Sequence, residues 1–290
     1  MSTTTSLALQ SLLLNALTQT GLSRPVSRIA GLAGSARPLA AAAAAHRQKG
    51  VPVLFVLPTD QDLDDAVDDT RFFLQTLEGL TDADVERVVL PLPSLQVDPY
   101  RGLAPHFRAT SARAQALFAL AAGQARVVVA SATALMPRLT PPSAVQALSV
   151  MIRPGQDIPP ELLVSVLADG GFERQDPVDE HGEFCLRGGI LDIFPAGEAL
   201  PLRLEFVGDT VESLRRFDPD SQRSIESVDQ FLLVPVRDFA LTASAPPPGA
   251  PASIIDYLGR AAIVVTSQTT CRRRWNGHLP TCGHRSRSVP

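Results

Sequence analysis

The chain has 290 residues, room for about two domains of ordinary size. Hydrophobic residues make up 45% and charged residues 19%, a composition that buries a core and excludes a wholly disordered chain. The formal net charge of −4 excludes a global positive field for nucleic acid or anionic lipid, and no apolar run approaches the ~18–20 residues of a membrane helix.

In chain order, Ser6 to Leu17 has the pattern of a short amphipathic helix. Met1 to Leu14 has neither a basic leading segment nor a small-residue cleavage site, so it reads as mature chain and not as a signal peptide. Ser27 to Leu32 leads into a Gly34-Ser35 turn, and a helix with six alanines, Ala40 to Ala45, ends near Gly50. Val51 to Leu57 is nearly continuous in apolar residues, as a buried parallel strand is. Asp60 to Leu77 predicts a helix with an acidic first turn, Val85 to Leu90 a strand, Ser111 to Ala122 a helix capped by Ser111, and Arg126 to Ser131 a strand. This alternation predicts a parallel α/β sheet.

After the proline-rich break at Pro137 to Pro142 the period changes. Pro159 to Gly170 reads as a helix. Glu183 to Val236 alternates with period two between turn signals at Gly188-Gly189, Pro195-Ala196-Gly197 and Gly208-Asp209, which predicts a smaller antiparallel domain. Ser244 to Pro251 reads as an extended linker. Together these features predict an α/β protein: a parallel-sheet lobe plus a smaller, β-rich inserted α+β domain.

The Gly208-Asp209 turn closes a hairpin in which a simple two-residue register pairs Val207 with Thr210, Phe206 with Val211, Glu205 with Glu212 and Leu204 with Ser213. Leu202, Leu204, Phe206 and Val211 then face the core, while Arg203, Glu205, Val207, Thr210, Glu212, Leu214 and Arg216 share the other face. Opposed glutamates need cations, and Arg203 and Arg216 could serve them. Such a face is either a solvated ion-pair network or a protein-docking surface.

Gly31-Leu32-Ala33-Gly34-Ser35-Ala36-Arg37-Pro38 stands where a phosphate loop would, between a predicted strand and a helix, but its chemistry is lost. Ala36 replaces the glycine that lets backbone approach phosphate, Arg37 replaces the lysine, and Pro38 replaces the Mg²⁺-binding hydroxyl. Gly31, Gly34, Ser35 and Arg37 therefore read as a relic loop without nucleotide, and no ATP or other cofactor is expected. Asp179-Glu180-His181-Gly182 resembles a helicase acidic box but follows a polar segment, so it reads as a turn. His46 and His106 have no ligand-spaced partners and read as surface residues; no catalytic set or metal site is indicated.

Gly182 to Pro195 (GEFCLRGGILDIFP), Pro201 to Asp209 (PLRLEFVGD) and Phe217 to Ser224 (FDPDSQRS) resemble the UvrB-homology region of the transcription-repair coupling factor (Mfd) family. The relic loop, Pro99 to Gly102 and Thr110 to Arg113 fit the same family, and the resemblance spans roughly residues 5–265. It implies a RecA-like lobe over 1–145 without ATPase activity, a UvrA-interaction domain over 146–238, and the start of a return segment over 239–265. It further implies a UvrA-recruiting module of transcription-coupled nucleotide excision repair in the cytoplasm, not an enzyme by itself. RNA polymerase and double-stranded DNA are partners of the full-length family, whose members are ATP-dependent DNA translocases. The family's UvrA-facing arginines match Arg187 and Arg203. Glu205 would orient Arg203, Arg216 would complete the face, and Val207 stands where the family contributes an aromatic.

Residues 266–290 differ from everything before them. They hold five arginines and no acidic residue, so residues 1–265 carry 21 basic against 30 acidic groups, a net of −9. Two of the three cysteines, Cys271 and Cys282, lie here, and with Cys185 they make no disulfide framework, which suits a reducing compartment. The spacing of Cys271, His278, Cys282 and His284 matches no common zinc site. The segment reads as an aberrant basic tail of the kind a shifted reading frame produces; the alternatives are a nucleic-acid arm or a non-functional gene fragment.

Overall fold

The computed structural model describes residues 8–15, 32–95, 106–195, 198–236, 251–259 and 261–265. Gly31, Pro99 to Gly102, most of the proline-rich linker and the basic tail lie outside the described residues.

Two continuous apolar runs organise the first body. Strands β1 (Val53–Leu57) and β3 (Val127–Ser131) are buried at every position, so both of their faces must be covered. They pair in parallel, Phe55 opposite Val129, between β2 (Val89–Leu92) and β12 (Ala262–Val265), in the order β12-β1-β3-β2. On one face Val53, Phe55 and Val129 pack against α2 (Ala36–Arg47) and α3 (Leu63–Glu78). The alanines of α2 have a physical use: Ala41, Ala42, Ala43 and Ala45 are buried, and their small side chains let α2 pack closely against α3. On the other face Leu54, Val56, Val128 and Ala130 pack against α5 (Phe107–Ala121) and α8 (Ile254–Leu258). Residues 8–15 form the helix α1, whose Gln10 donates to the Leu77 carbonyl at the end of α3.

Two elements differ from the sequence reading. Residues 82–88 form a helix, α4 (Asp82–Val88), and the strand starts only at Val89. The Thr81 hydroxyl accepts from the Asp84 backbone N–H at 3.2 Å, and Asp82 and Asp84 complement the helix N-terminus, so local capping overrides the apolar pattern. Helix α5 begins at Phe107 and not at Ser111. His106 is the cap, its Nδ1 accepting from the Arg108 N–H at 3.3 Å, and Ser111 is buried within the helix. His46 is also more than a surface residue. Its Nδ1 lies 3.2 Å from Glu78, which Arg126 holds bidentately at 2.8 and 3.1 Å. This cluster ties the ends of α2 and α3 to the start of β3. Burial pushes the Glu78 carboxyl up, but Arg126 and His46 together outweigh it and hold it below its usual range.

The second body is built on a six-stranded sheet in the order β10-β9-β8-β7-β6-β5. Its strands are β5 (Glu173–Arg174), β6 (Glu183–Arg187), β7 (Ile190–Ile193), β8 (Leu202–Val207), β9 (Thr210–Phe217) and β10 (Ser224–Ser227). All neighbours are antiparallel except β5 and β6. One face buries Phe184, Leu191, Ile193, Leu202, Leu204, Val211 and Leu214 with Leu163 and Leu167 of α7 (Pro160–Asp169). A two-stranded ribbon of β4 (Val150–Ile152) and β11 (Phe231–Leu233) contributes Ile152, Phe231 and Leu233 to the same core. Helix α6 (Pro142–Ala147) precedes β4 in the chain. Among the described residues the fold is thus α/β, with a parallel four-stranded sheet, a separate and mostly antiparallel six-stranded sheet and a two-stranded antiparallel ribbon.

Candidate protein-docking face

The six-stranded sheet has a second face, and its chemistry follows from strand register. Side chains directly opposite across an antiparallel pair point the same way. Cys185 opposes Asp192, Asp192 opposes Arg203 and Arg203 opposes Arg215. Arg187 opposes Ile190, and Ile190 opposes Glu205. These residues therefore share the face turned away from the core.

The hairpin register departs from the simple one. It shifts between Phe206 and Glu205, so Phe206 opposes Val211 but Glu205 opposes Ser213. Glu212 is the extra residue of a β-bulge. The predicted Glu205–Glu212 clash does not occur; the Ser213 hydroxyl instead donates to Glu205 at 2.5 Å. Leu214, expected outside, opposes Leu204 and is buried. Arg216, expected beside Arg203, opposes Leu202 and so belongs to the other side of the sheet. There it donates to Glu226 at 2.7 Å and Glu198 at 2.9 Å. The hydrogen bond to Glu226, opposed by partial burial and reinforced by Glu198, holds the guanidinium firmly charged. The turn itself needs Gly208, whose φ of +61° is a left-handed conformation that costs a β-carbon energy.

Asp192 is the centre of this face. Its carboxylate is fully buried, yet it receives three charge-assisted hydrogen bonds. Arg203 donates from Nε at 2.7 Å to one oxygen and from a terminal nitrogen at 2.9 Å to the other; Arg187 donates to the second oxygen at 2.9 Å. Arg203 also donates to the Gln222 carbonyl at 3.0 Å, and its guanidinium lies 4.5 Å from the centroid of the buried Phe217 ring. The Asp192 hydrogen bond raises the Arg203 pKa against the opposing effect of burial, with the Asp192 and Glu205 charges adding to it. Asp192, not Glu205, therefore sets the orientation of Arg203. Phe217, Val178, Cys185 and Phe194 form a small apolar cluster on this outer side, and burial with the Asp176 charge pushes the Cys185 thiol up. His181 stacks on Phe194 at 3.8 Å.

Accessibility differs sharply between the two arginines. The Arg203 side chain is 15% exposed and the Arg187 side chain 45%. Arg187 spends its other terminal nitrogen on Asp176, at 2.8 Å. Near it Ile190 and Val207 are exposed apolar residues, Val207 at 63%. Gly189 lets β8 come close here: a β-carbon at that position would stand 3.0 Å from the Phe206 carbonyl oxygen. The result is a face with a partly exposed, paired guanidinium, two exposed aliphatic side chains and a charged floor.

Strand alternation placed Arg203, Glu205 and Val207 on this face and the family resemblance singled out Arg187, but neither pointed to Asp192, Asp176, Gln222 or Phe217. Asp192 had a signal. It is an acidic residue between the core residues Leu191 and Ile193, and alternation alone sends it to the opposite face.

The loop expected to be a relic phosphate loop is in the other body. Gly34 has φ +51° and Ser35 precedes α2 without a side-chain cap bond. Arg37 donates from Nε to the Leu32 carbonyl at 3.4 Å. The loop lines a cleft of about 530 Å³ whose opposite wall carries Asp62, Asp65, Asp68 and Asp69. The four carboxylates repel a polyphosphate anion, and Pro38 offers no hydroxyl to a metal. Asp179 and Glu180, the acidic-box lookalike, form a turn whose backbone N–H groups donate to Glu183 at 3.1 and 2.9 Å.

Comparison with known proteins agrees with this architecture. Residues 150–239 match the UvrB interaction domain, the stretch that contains the whole six-stranded sheet. The chain is 35% identical over 160 residues to the transcription-repair-coupling factor of Escherichia coli, covering 55% of this chain and 14% of the relative. It is 34% identical over 221 residues to that of Myxococcus xanthus (76% of this chain, 18% of the relative). It is 31% identical over 213 residues to that of Bacillus subtilis (73% and 17%). This chain is a relative of the transcription-repair-coupling factors. It spans less than a fifth of the length of these coupling factors. No helix among the described residues is long and apolar enough to cross a membrane.

Proposed function

We propose that this chain is a UvrA-recruiting module of transcription-coupled repair, and that the outer face of the six-stranded sheet is its docking surface. The observation that carries the reading is the Arg187–Asp192–Arg203 network within the stretch that matches the UvrB interaction domain. Arg187 is the accessible member and donates to acidic groups of UvrA. Arg203 supplies positive charge at the floor and keeps Arg187 in place through their shared carboxylate. Ile190 and Val207 give the contact an apolar component, and Glu205, bonded to Ser213, gives it polar register. Arg216, on the other side of the sheet, acts through Glu198 and Glu226 and not as a direct contact. Recognition of this kind needs no reacting group, and the module hydrolyses no ATP.

The test is a binding titration of the chain against UvrA. Arg187→Glu is expected to weaken binding at least tenfold with an unchanged circular dichroism spectrum, as reversing a charge at the centre of an interface does. Unaltered affinity removes the assignment. The competing reading is an ATP-dependent DNA translocase or UvrB-like enzyme, and the acidic cleft speaks against it in this chain. A titration with MgATP is expected to show no saturable binding; a measurable affinity would favour the enzyme.

A further inference from the structure

The two carboxylates that serve Arg187 differ in kind. Asp192 is fully buried, shares its oxygens between two arginines and cannot leave without stranding both. Asp176 is 53% exposed and bonds Arg187 through one oxygen, Oδ1, to the terminal nitrogen that Asp192 does not use. An exposed ion pair is weak, because water screens it and each side chain gives up conformational freedom to form it. Arg187 therefore carries one permanent counterion below and one exchangeable counterion at the surface.

The geometry points to Asp176 as an internal placeholder for an acidic group of the partner: docking exchanges Asp176 for a partner carboxylate at the outer terminal nitrogen of Arg187. This inference rests on the docking face proposed above and adds a mechanism to it. No covalent step is involved; one charge-assisted hydrogen bond is traded for another of the same class, so charge is conserved at the arginine. The trade has two consequences. The guanidinium never stands unpaired in the free protein, which disfavours wrong partners that offer no carboxylate. The placeholder also competes with the right partner, so removing it should tighten binding, which a purely structural role for Asp176 would not do.

The experiment compares UvrA affinity for four forms of the full chain: unchanged, Asp176→Asn, Glu212→Gln and Arg187→Glu. Glu212 is an exposed acidic residue of the same sheet, at the bulge, and it controls for a general loss of negative charge. Release of an exposed pair corresponds to roughly two- to five-fold tighter binding for Asp176→Asn. Glu212→Gln should give a smaller change and Arg187→Glu a loss. Should Asp176→Asn destabilise its loop, Asp176→Ser, read by the same titration with thermal melting alongside, gives the same prediction. If both Asp176 variants bind no tighter than the unchanged chain, or no tighter than Glu212→Gln, while Arg187→Glu still weakens binding, exchange is overturned and the docking face stands. If Arg187→Glu binds normally, the docking face falls and the exchange with it.

Discussion

Asp192 shows how one residue decides the character of a surface. Without it two guanidinium groups would lie side by side on the sheet; with it they form one rigid unit. Removing one partner of a buried charge network leaves the others uncompensated, so Asp192→Ala should lower the unfolding free energy by about 3–5 kcal/mol in urea titrations. A loss below about 1 kcal/mol would show that solvent already serves the arginines. Glu78 makes the second residue-scale case. Its folded pKa is depressed, so its contribution to stability is present above the unfolded value near 4.5 and is lost as pH falls through the folded value. The drop in urea midpoint between pH 7 and pH 3 should therefore be smaller in Glu78→Gln than in the unchanged chain. An equal drop in both would place the acid sensitivity elsewhere.

At the scale of elements, the strands that read plainly in the sequence were those with one solution. Val53–Leu57 is apolar throughout and Val127–Ser131 up to its last residue, and the short length of each run with its flanking breaks suits a central parallel strand buried on both faces. The hairpin had two solutions. A two-residue turn with strict alternation gives one register, and the bulge at Glu212 gives another. The sequence does contain a sign of the bulge: Val211, Leu214 and Phe217 recur every third residue, and all three are buried. The period of three was outweighed by the turn and by the alternation of β8. The same step moved Arg216 off the outer face and brought Phe217 under Arg203. Residues 82–88 failed for a different reason, since a cap at Thr81 is a local hydrogen bond that an apolar count does not register. Gly208 links the turn to the register. Gly208→Ala should cost more than about 1 kcal/mol, because φ near +61° is strained for a residue with a β-carbon. An unchanged melting temperature would show that the turn can relax to another type.

At the scale of the whole molecule, two bodies carry opposite signs of evidence. The parallel-sheet body has a loop–helix cleft, from Gly34 into the helix Ala36–Arg47, lined by aspartates. The antiparallel body has an outer face of paired arginines and carboxylates with exposed aliphatic neighbours, the chemistry on which the proposed recognition role rests. The fold class was readable because alternating periods and turn residues state it directly. The candidate face was readable only in part, because Asp192 and Asp176 acquire meaning from side-chain pairings that the strand register sets up. The claim that this outer face meets UvrA is tested most directly by site-specific photo-crosslinking. A crosslinking residue placed at Val207, on the outer face, should capture UvrA, while one at Leu162, on the exposed side of α7 across the sheet, should not. Capture from Leu162 with none from Val207 would contradict the account.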